Sequence, residues 1–286
     1  DVLIVGCGPA GLTLAAQLSA FPEIKVRIVD KKSGPLEIGR ADGIACRSIE
    51  MFEAFGFAEK VLKEAYWVNE VAFWRPNEAG DGLHRANRIQ DVEDDLSEMP
   101  HVILSQARVH DFYLKLMRNS VNRLEPDYDY ELIDVSKSDD PNGLITATFR
   151  GPNSKVEAIR TRYVVGCDGA RSMVRKSMGQ ALQGESARQL WGVMDVLAVT
   201  DFPDIRLKAA VQSLEHGSVL IIPREGGYLV RMYIELDALR GDERAIDRAV
   251  TSDTLIAKAR DILAPYTLNV KEVAWWSAYE IGQRIC

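Results

Sequence analysis

The chain has 286 residues, enough for a large core in one or two domains. Its formal net charge of −7 and the lack of a concentrated basic stripe argue against nucleic acid as a partner. No apolar run approaches a membrane span and no signal peptide is visible, so we expect a cytoplasmic protein with no membrane partner. The cysteines lack metal-like spacing, which predicts reduced thiols and no metal site; they are Cys7, Cys46, Cys167 and Cys286.

A strand, a glycine-rich turn and a helix are predicted at the start of the chain. Val2 to Val5 are apolar without alternation, as a strand buried on both faces requires. In the following Gly6-x-Gly8-x-x-Gly11, the first glycine allows a sharp turn, the second lets a diphosphate approach the backbone and the third lets the helix pack on the strand. The helix expected over residues 10–20 directs its N-terminal amides at the phosphates.

An acidic residue follows the second predicted strand, Val26 to Val29. Asp30 lies 19 residues after Gly11, where an acid accepts hydrogen bonds from a ribose hydroxyl. An acid at this position favours an unphosphorylated adenosine ribose, as in FAD or NAD. The strand, the glycines, the helix and the acid all fit a dinucleotide-binding site. A strand–turn–helix unit that binds no ligand is therefore the disfavoured alternative.

The middle of the chain mixes helices, strands and polar segments. The elements predicted there are a loop rich in turn formers at 31–46, a helix at 47–64, a strand at 71–74, an exposed acidic excursion at 77–98, a buried strand at 102–104, a helix capped by Ser105 and ending near Arg118, and hairpin strands at 130–137 and 144–150. A strand at Tyr163 to Val165 then leads into a second tight turn, Gly166-Cys167-Asp168-Gly169. Two glycine turns in this order are far more specific than one, and together they indicate a flavin site.

Beyond Gly179 the pattern changes to successive strands with short connections, which predicts an antiparallel sheet. Strands are expected at 191–199, 207–212, 218–222, 229–236 and 269–276, with an amphipathic helix at 252–263. We therefore expect two domains, an FAD-binding domain over 1–177 and a substrate-binding sheet domain over 178–286.

Several motifs together resemble the single-component FAD aromatic hydroxylases, the family of para-hydroxybenzoate hydroxylase and phenol 2-monooxygenase. They are the opening glycine motif, Cys167-Asp168-Gly169-Ala170-Arg171-Ser172 with Val174-Arg175, Gly39-Arg40-Ala41-Asp42-Gly43-Ile44, and Ile221-Ile222-Pro223-Arg224-Glu225. The resemblance covers essentially the whole chain and is strongest to the branch that hydroxylates 3-hydroxybenzoate at position 4. It implies an α/β fold, with a GR2-type Rossmann-like FAD-binding domain and a second, mainly antiparallel β-sheet substrate domain.

The same resemblance implies the chemistry. NADPH binds transiently and reduces FAD, O2 adds to the flavin, and the resulting flavin hydroperoxide hydroxylates a small phenolic substrate. The expected reaction converts 3-hydroxybenzoate to 3,4-dihydroxybenzoate, with NADH as an open alternative donor. A phenol 2-monooxygenase is the alternative enzyme, and a non-oxidative flavin-fold protein that binds a partner or a prenyl chain is the alternative of another class. The family also implies a homodimer.

The candidate catalytic residues are Asp42 and Tyr233. The resemblance places Asp42 near the substrate hydroxyl, whereas a turn-forming aspartate before Gly43 is the structural alternative. Tyr233 is expected to hold the same hydroxyl. In its strand it shares a face with Arg231 and Glu235, and that face either lines a cavity or meets water.

Three residues are candidates for binding the substrate. Lys208 matches a lysine that the resemblance implies for the substrate carboxylate, with a solvated sheet lysine as the alternative. His101, just before strand 102–104, is a second candidate donor, and a structural histidine beside a strand is its alternative. Arg224 follows Pro223 at a position that the family uses near flavin and substrate, with a surface hairpin arginine as the alternative.

The cofactor-binding residues come from the glycine motifs, the acid and the resemblance. Arg47 and Gln106 resemble contacts to the flavin diphosphate and ribityl chain, with helix-surface positions as the alternative. The complete set is Gly6, Gly8, Pro9, Ala10, Gly11, Asp30, Lys31, Arg47, Gln106, Asp168, Gly169 and Arg171. No second GxGxxG precedes a strand and helix, so no separate nicotinamide domain is expected.

The family's third motif, Gly-Asp, is expected soon after Tyr279 to Arg284, and the sequence stops at Cys286 before it. The first residue already belongs to the first predicted strand. We therefore expect a fragment of a longer enzyme, with residues missing at both ends and a possible targeting segment among those before Asp1. FAD retention by this segment alone is left open.

Overall fold

The computed structural model describes residues 1–39, 41–80, 82–138, 143–238 and 249–285. Within them the chain forms two compact units. The first unit comprises Asp1–Asp42 and Ser105–Leu182, and the second comprises Gly43–Leu104 and Gln183–Ile285. Residues 43–104 thus pack with the second unit, and the proposed division into functional domains at 177/178 stays a prediction. Arg40 and Cys286, which the sequence motifs and the cysteine count include, lie outside the described residues.

A three-stranded parallel sheet organises the first unit. Its strands are β1 (Val2–Val5), β2 (Val26–Val29) and β11 (Tyr163–Gly166), with β1 in the centre. Val2 lies opposite both Val26 and Tyr163. Because β1 has a neighbour on each edge and buries residues 3–5 almost completely, it needs consecutive apolar side chains, as predicted.

Helices and a second sheet complete the first unit. The helices are α1 (Pro9–Leu18), α4 (Gln106–Arg118) and α5 (Met173–Ser177), and the second sheet has the antiparallel strands β8 (Glu131–Ser136), β9 (Ile145–Arg150) and β10 (Val156–Thr161), with β9 in the centre. The hydroxyl of Thr13 donates a 2.9 Å hydrogen bond to the Tyr113 hydroxyl and ties α1 to α4. Ser105 occupies the N-cap position of α4, but its side chain makes no capping bond.

A seven-stranded sheet forms most of the second unit. Its strands are β5 (Glu70–Pro76), β6 (Leu83–Gln90), β12 (Gln183–Thr200), β13 (Lys208–Gln212), β14 (Ser218–Pro223), β15 (Val230–Glu235) and β16 (Leu268–Ile285). The order across the sheet is β16-β12-β15-β14-β13-β5-β6, and every neighbouring pair is antiparallel except β13 with β5. The predicted fold class, with a mainly antiparallel second sheet, is confirmed.

The two faces of this sheet have different environments. One face packs its apolar residues, including Met194, Met232 and Ile221, against helix α6 (Ser252–Leu263) to form a large core. Because side chains alternate along a strand, the intervening residues of the same strands project from the opposite face. Residues predicted to act on the substrate, among them Tyr233 and Lys208, lie on this second face.

Short elements complete the second unit, and one of them corrects a prediction. They are β3 (Gly43–Ile44), α2 (Cys46–Ala54), α3 (Ala58–Glu64), β4 (Tyr66–Trp67) and β7 (Val102–Ile103). The single helix predicted over 47–64 is wrong, because α2 ends before Gly56, which has a left-handed φ of 74°. The apolar spacing continues across this break, since Phe52 and Phe57 pack with ring centroids 4.9 Å apart.

The acidic segment 77–98 contains a strand that the sequence did not predict. Strand β6 pairs antiparallel with β5 along its whole length. It is the edge strand of the sheet and most of its side chains are exposed, so it carries no apolar pattern. None of the described helices combines the length and apolar composition needed to cross a membrane.

Candidate functional site

Two tight turns lie against each other at the carboxyl ends of β1 and β11 in the first unit. Gly6 has a φ of 108°, and a Cβ there would lie 2.3 Å from the carbonyl oxygen of Cys167. A Cβ on Gly11 would lie 1.9 Å from the carbonyl oxygen of Gly6. The backbone of the turns therefore excludes side chains at both positions. Gly8 is different, since nothing lies within 4 Å of its Cβ position, and this open space suits a group that approaches the backbone.

The Asp30 carboxylate is fixed beside the first turn. Its Oδ2 accepts a hydrogen bond from the backbone N–H of Cys7 at 2.7 Å, and its Oδ1 accepts one from the N–H of Lys32 at 2.9 Å. A carboxylate oxygen has a second lone pair, so both oxygens can still accept from a ligand. The structure thus fixes the Asp30 carboxylate beside the first turn, and the ribose contact stays a prediction.

The Asp168 carboxylate has one oxygen in use and one unused. Oδ2 accepts hydrogen bonds from the N–H groups of Met173 and Val174, at 2.6 and 3.2 Å, in the first turn of α5. Oδ1 is buried and has no hydrogen-bond partner within the described ranges. Leaving a buried acceptor unpaired costs about 1–3 kcal/mol, so a donor from a ligand is the expected partner.

These groups surround a cavity of about 230 Å³ in the first unit. The predicted residues that line it are Gly6, Gly8, Asp30, Lys31, Asp168, Gly169 and Arg171. The lining residues that the sequence did not single out include Lys32, Tyr130, Glu131, Leu132 and Met173. Three of these come from the hairpin strand β8 and the residue before it, which the sequence marks only as structural.

The other predicted cofactor residues do not line this cavity. Pro9 and Ala10 are exposed in the first turn of α1. Gln106 is the first residue of α4. A Cβ on Gly39 would lie 2.4 Å from the Cβ of Gln106, so the loop that follows β2 passes directly over Gln106. Arg47 is exposed at the start of α2 and belongs to the second unit. The roles of these residues stay predictions.

The thiols of the cysteines in the two turns have raised pKa values. Burial, assisted by the nearby Asp30, raises the pKa of the Cys7 thiol far above its usual value. Burial also raises the pKa of Cys167. Both thiols therefore stay protonated at neutral pH and act as small apolar residues beside the cavity.

The lining of the cavity fits the nucleotide part of FAD. Asp30 suits a ribose hydroxyl, and Gly8, the N-cap residue of α1, together with Arg171 suits a diphosphate. The unpaired Oδ1 of Asp168 suits a further hydroxyl, and the space at Gly8 lets the backbone be approached closely.

We expect Asp168→Ala to weaken FAD binding by about tenfold or more, because a hydrogen bond to a charged group contributes about 1.5–3 kcal/mol. The dissociation constant of FAD, measured by flavin fluorescence with the full-length protein, checks this. Asp168→Asn separates the two roles, since its amide oxygen can still accept from the α5 backbone while its NH2 group replaces the acceptor offered to FAD; we expect a similar loss of FAD affinity with the turn intact. Equal FAD affinity in the Ala variant and the parent would contradict the assignment.

A cluster of charged side chains lies in the second unit where β6, β7 and β13 have neighbouring ends. Lys208 Nζ lies 2.7 Å from Asp91 Oδ1, and His101 Nδ1 lies 2.7 Å from Asp91 Oδ2. The Asp91 side chain is only 8% exposed. Burial alone would raise the pKa of Asp91, but the hydrogen bonds from Lys208 and His101 outweigh it and hold the pKa below its usual value. The structure therefore brings the predicted Lys208 and His101 together, through an aspartate that sequence reasoning missed.

Tyr233 lies in β15, opposite Val193 and Leu220. Its ring is half-buried and packs against an apolar cluster that includes Ile103 and Ile222. A second tyrosine, Tyr279, lies close to Tyr233. Its pKa is raised, first by burial and then by the neighbouring Tyr233. Tyr233 is thus partly buried among apolar side chains, and whether its face lines a cavity or meets water stays open.

Arg224 is buried, so the alternative of a surface hairpin arginine is wrong. Its Nε and Nη2 donate to the carboxylate of Glu225 at 3.1 and 3.0 Å, and its Nη1 donates to Asp195 Oδ2 at 3.3 Å. Asp195 also accepts two hydrogen bonds from Arg231, at 2.6 and 2.7 Å. The predicted contact of Arg224 with flavin and substrate stays a prediction.

Asp42 is buried in the first unit, with 4% of its surface exposed. An aspartate whose only role is to form a turn is usually exposed at the surface, so the burial of Asp42 does not follow from that alternative. Because Asp42 belongs to the first unit and Tyr233 to the second, their joint action on a substrate hydroxyl stays a prediction.

Comparison with known proteins matches this chain to a family. A model described as FAD binding domain matches residues 1–286. The chain is 60% identical over 295 residues to 3-hydroxybenzoate 4-monooxygenase of Comamonas testosteroni, covering 100% of this chain and 46% of that protein. It is 36% identical over 286 residues to phenol 2-monooxygenase fsqG of Aspergillus fumigatus, covering 100% of this chain and 47% of that protein. The chain therefore spans about half the length of these relatives.

A solved structure with the same fold supports the architecture. The crystal structure of p-nitrophenol 4-monooxygenase PnpA from Pseudomonas putida DLL-E4 superposes with a TM-score of 0.78 at 19% identity. The superposition covers 99% of this chain and 68% of that structure.

Proposed function

Because this chain belongs to the FAD-binding domain family, we propose that the full-length protein is a flavin-dependent monooxygenase that adds one oxygen atom to a phenolic ring. Two observations support the proposal. The cavity in the first unit has the lining that an FAD nucleotide needs, and the relative with 60% identity is a monooxygenase by name.

The proposed substrate is 3-hydroxybenzoate and the proposed product is 3,4-dihydroxybenzoate. The observation that carries this choice is the convergence of Lys208 and His101 within one largely buried cluster of the second unit. Nitrogen donors of this kind suit a carboxylate, which 3-hydroxybenzoate has and phenol lacks. The name of the relative with 60% identity supports the same choice.

FAD would be held by Asp30, Asp168 and the backbone of the two glycine turns. When bound, FAD supplies the electron transfer and the activation of O2, chemistry that no amino-acid side chain provides. We propose NADPH as the electron donor, a homodimer from the family resemblance, and a cytoplasmic location from the reduced thiols.

The side chains of the protein orient the phenol and assist loss of its proton. A phenol has a pKa of about 10 and an aspartate of about 4, so complete proton transfer to an ordinary aspartate would cost about 8 kcal/mol. Asp42 therefore serves better as a strong hydrogen-bond acceptor, or as a base whose pKa is raised by a dry site. In this proposal Tyr233 donates to the same phenolic oxygen and fixes the ring, so that charge builds toward the position that is hydroxylated.

The first experiment measures NADPH oxidation by the full-length, FAD-loaded protein with and without 3-hydroxybenzoate, together with the amount of dihydroxy product. Strong stimulation with stoichiometric product is expected. Stimulation by phenol alone would favour a phenol 2-monooxygenase, the activity named for the relative with 36% identity. A flavin-loaded protein that no phenol stimulates would mean that the proposed chemistry is wrong, and a colourless full-length protein would favour the non-oxidative class.

We expect Lys208→Met to raise the KM for 3-hydroxybenzoate by about tenfold or more and to leave the KM for phenol nearly unchanged. The reason is that a charge-assisted hydrogen bond to a carboxylate contributes about 1.5–3 kcal/mol, and phenol makes no such bond. Steady-state kinetics with both substrates checks this. Lys258→Met, which removes another partly buried lysine of the second unit, is the control. Equal changes in the two KM values would remove the carboxylate argument.

A further inference from the structure

We propose that Asp91 is a positioning residue that holds Lys208 and His101 together as a two-point receptor for the carboxylate of the substrate. This inference rests on the proposed function, because it assumes a carboxylated phenol. It adds a determinant of specificity that no motif in the sequence marks.

The backbone brings the three side chains to one place. Asp91 follows β6, and its N–H donates to the carbonyl oxygen of Asn69 at 3.0 Å. Lys208 begins β13 and lies opposite Val71 of β5. The N–H of Val68 donates to the carbonyl oxygen of His101 at 2.9 Å. All three residues are therefore aligned by backbone pairing with the short stretch 68–71, and the Asp91 carboxylate is not needed to build the sheet.

The carboxylate of Asp91 contacts each donor with a different oxygen, Lys208 with Oδ1 and His101 with Oδ2. Lys208 retains further N–H groups for a ligand, and His101 retains Nε2, which would lie 3.6 Å from a Cβ on Gly43. If Nδ1 donates to Asp91 and Nε2 donates to a substrate carboxylate, the ring carries both protons.

The charges then balance. A protonated His101 beside Lys208 would place two positive charges together, and the negative charge of Asp91 offsets one of them. One net positive charge remains for one substrate carboxylate. Asp91 also fixes the long lysine side chain, whose rotamers carry about 2 kcal/mol of entropy, before the substrate arrives.

Neighbouring acids do not share this arrangement. Glu93, Asp94 and Asp95 on the same segment are exposed, whereas the Asp91 side chain is 8% exposed and contacts both donors. Glu93→Gln is therefore a matched control, since it removes the same charge two residues away on the protein surface.

The test compares Asp91→Asn, Asp91→Glu, Glu93→Gln and the double variant Asp91→Asn/Lys208→Met in the full-length, FAD-loaded protein. For Asp91→Asn we expect the KM for 3-hydroxybenzoate to rise about tenfold, the loss of roughly 1.4 kcal/mol, with kcat nearly unchanged and the KM for phenol unaffected. Asp91→Glu should recover part of the loss and Glu93→Gln should match the parent. The double variant should lose less than the sum of the two single losses, because Asp91 acts partly through Lys208; the remaining loss reports the part that acts through His101.

Calorimetric binding of benzoate gives a readout that does not depend on turnover. Weaker benzoate binding by Asp91→Asn is expected, whereas equal or tighter binding would overturn the inference. Equal losses for benzoate and phenol would also overturn it, since they indicate a structural role only. If no phenol stimulates the parent enzyme, the proposed function fails whatever Asp91 does. If the parent is active and Asp91→Asn equals it, this inference alone fails.

Discussion

Asp42→Ala is expected to remove most hydroxylation by the full-length protein while FAD stays bound. A positioned group that accepts a proton in the transition state contributes about 10²–10⁴-fold to the rate, so turnover should fall within that range. Asp42 is buried, so water cannot readily replace its carboxylate as the acceptor. The measurement is the rate of 3,4-dihydroxybenzoate formation, with NADPH oxidation followed in parallel.

Two further variants separate the role of Asp42 from its place in the fold. Asp42→Asn keeps the size and one acceptor oxygen but cannot take up a proton, so we expect it to be nearly as impaired as the alanine variant. Asp111→Asn is the control, because Asp111 is a half-exposed carboxylate of the same unit that pairs with Arg108. Unchanged turnover in Asp42→Ala, or loss of FAD together with activity, would end the catalytic assignment.

The glycine turns were predictable because their requirement is local. Gly6 and Gly11 are fixed by backbone atoms of adjoining turns, so spacing in the sequence reports them directly. The helix over 252–263 was predicted with its observed bounds for a similar reason, since its apolar residues repeat at helical spacing and Thr251 caps its first turn.

Asp91 was not predictable because its meaning depends on residues far along the chain. It stands in a run of acids that resembles a solvated surface segment, and its partner Lys208 lies 117 residues away. The edge strand β6 was missed for a related reason. Its backbone pairs with β5 while its side chains face water, so hydrophobic periodicity gives no signal.

Arg224 and Arg231 show a third limit. The sequence placed Arg231 on a polar face of its strand, and the structure buries that guanidinium completely between Asp195 and the ring of Trp275. Alternation along the strand identified the face correctly, but the partner that neutralises the charge lies on another strand. Charge pairing across a sheet cannot be inferred from one strand alone.

We expect Asp195→Ala to lower the free energy of unfolding of the second unit by about 3–5 kcal/mol, because it leaves the buried Arg231 without its carboxylate. Denaturant unfolding followed by tryptophan fluorescence measures this, since Trp275 stacks on Arg231 at 5.3 Å. Glu272→Ala, at an exposed residue of β16, should change the free energy by less than about 0.5 kcal/mol.

The double variant Asp195→Leu/Arg231→Met decides why Asp195→Ala loses stability. The cause is either the missing partner for the Arg231 charge or the lost packing of the Asp195 side chain. Replacing both members of a buried ion pair with apolar residues is often nearly neutral, so we expect most of the stability to return. Arg224 would still have its two hydrogen bonds to Glu225 and would not become an unpaired charge. A double variant as unstable as Asp195→Ala would contradict this account and show that packing, not charge, makes Asp195 necessary.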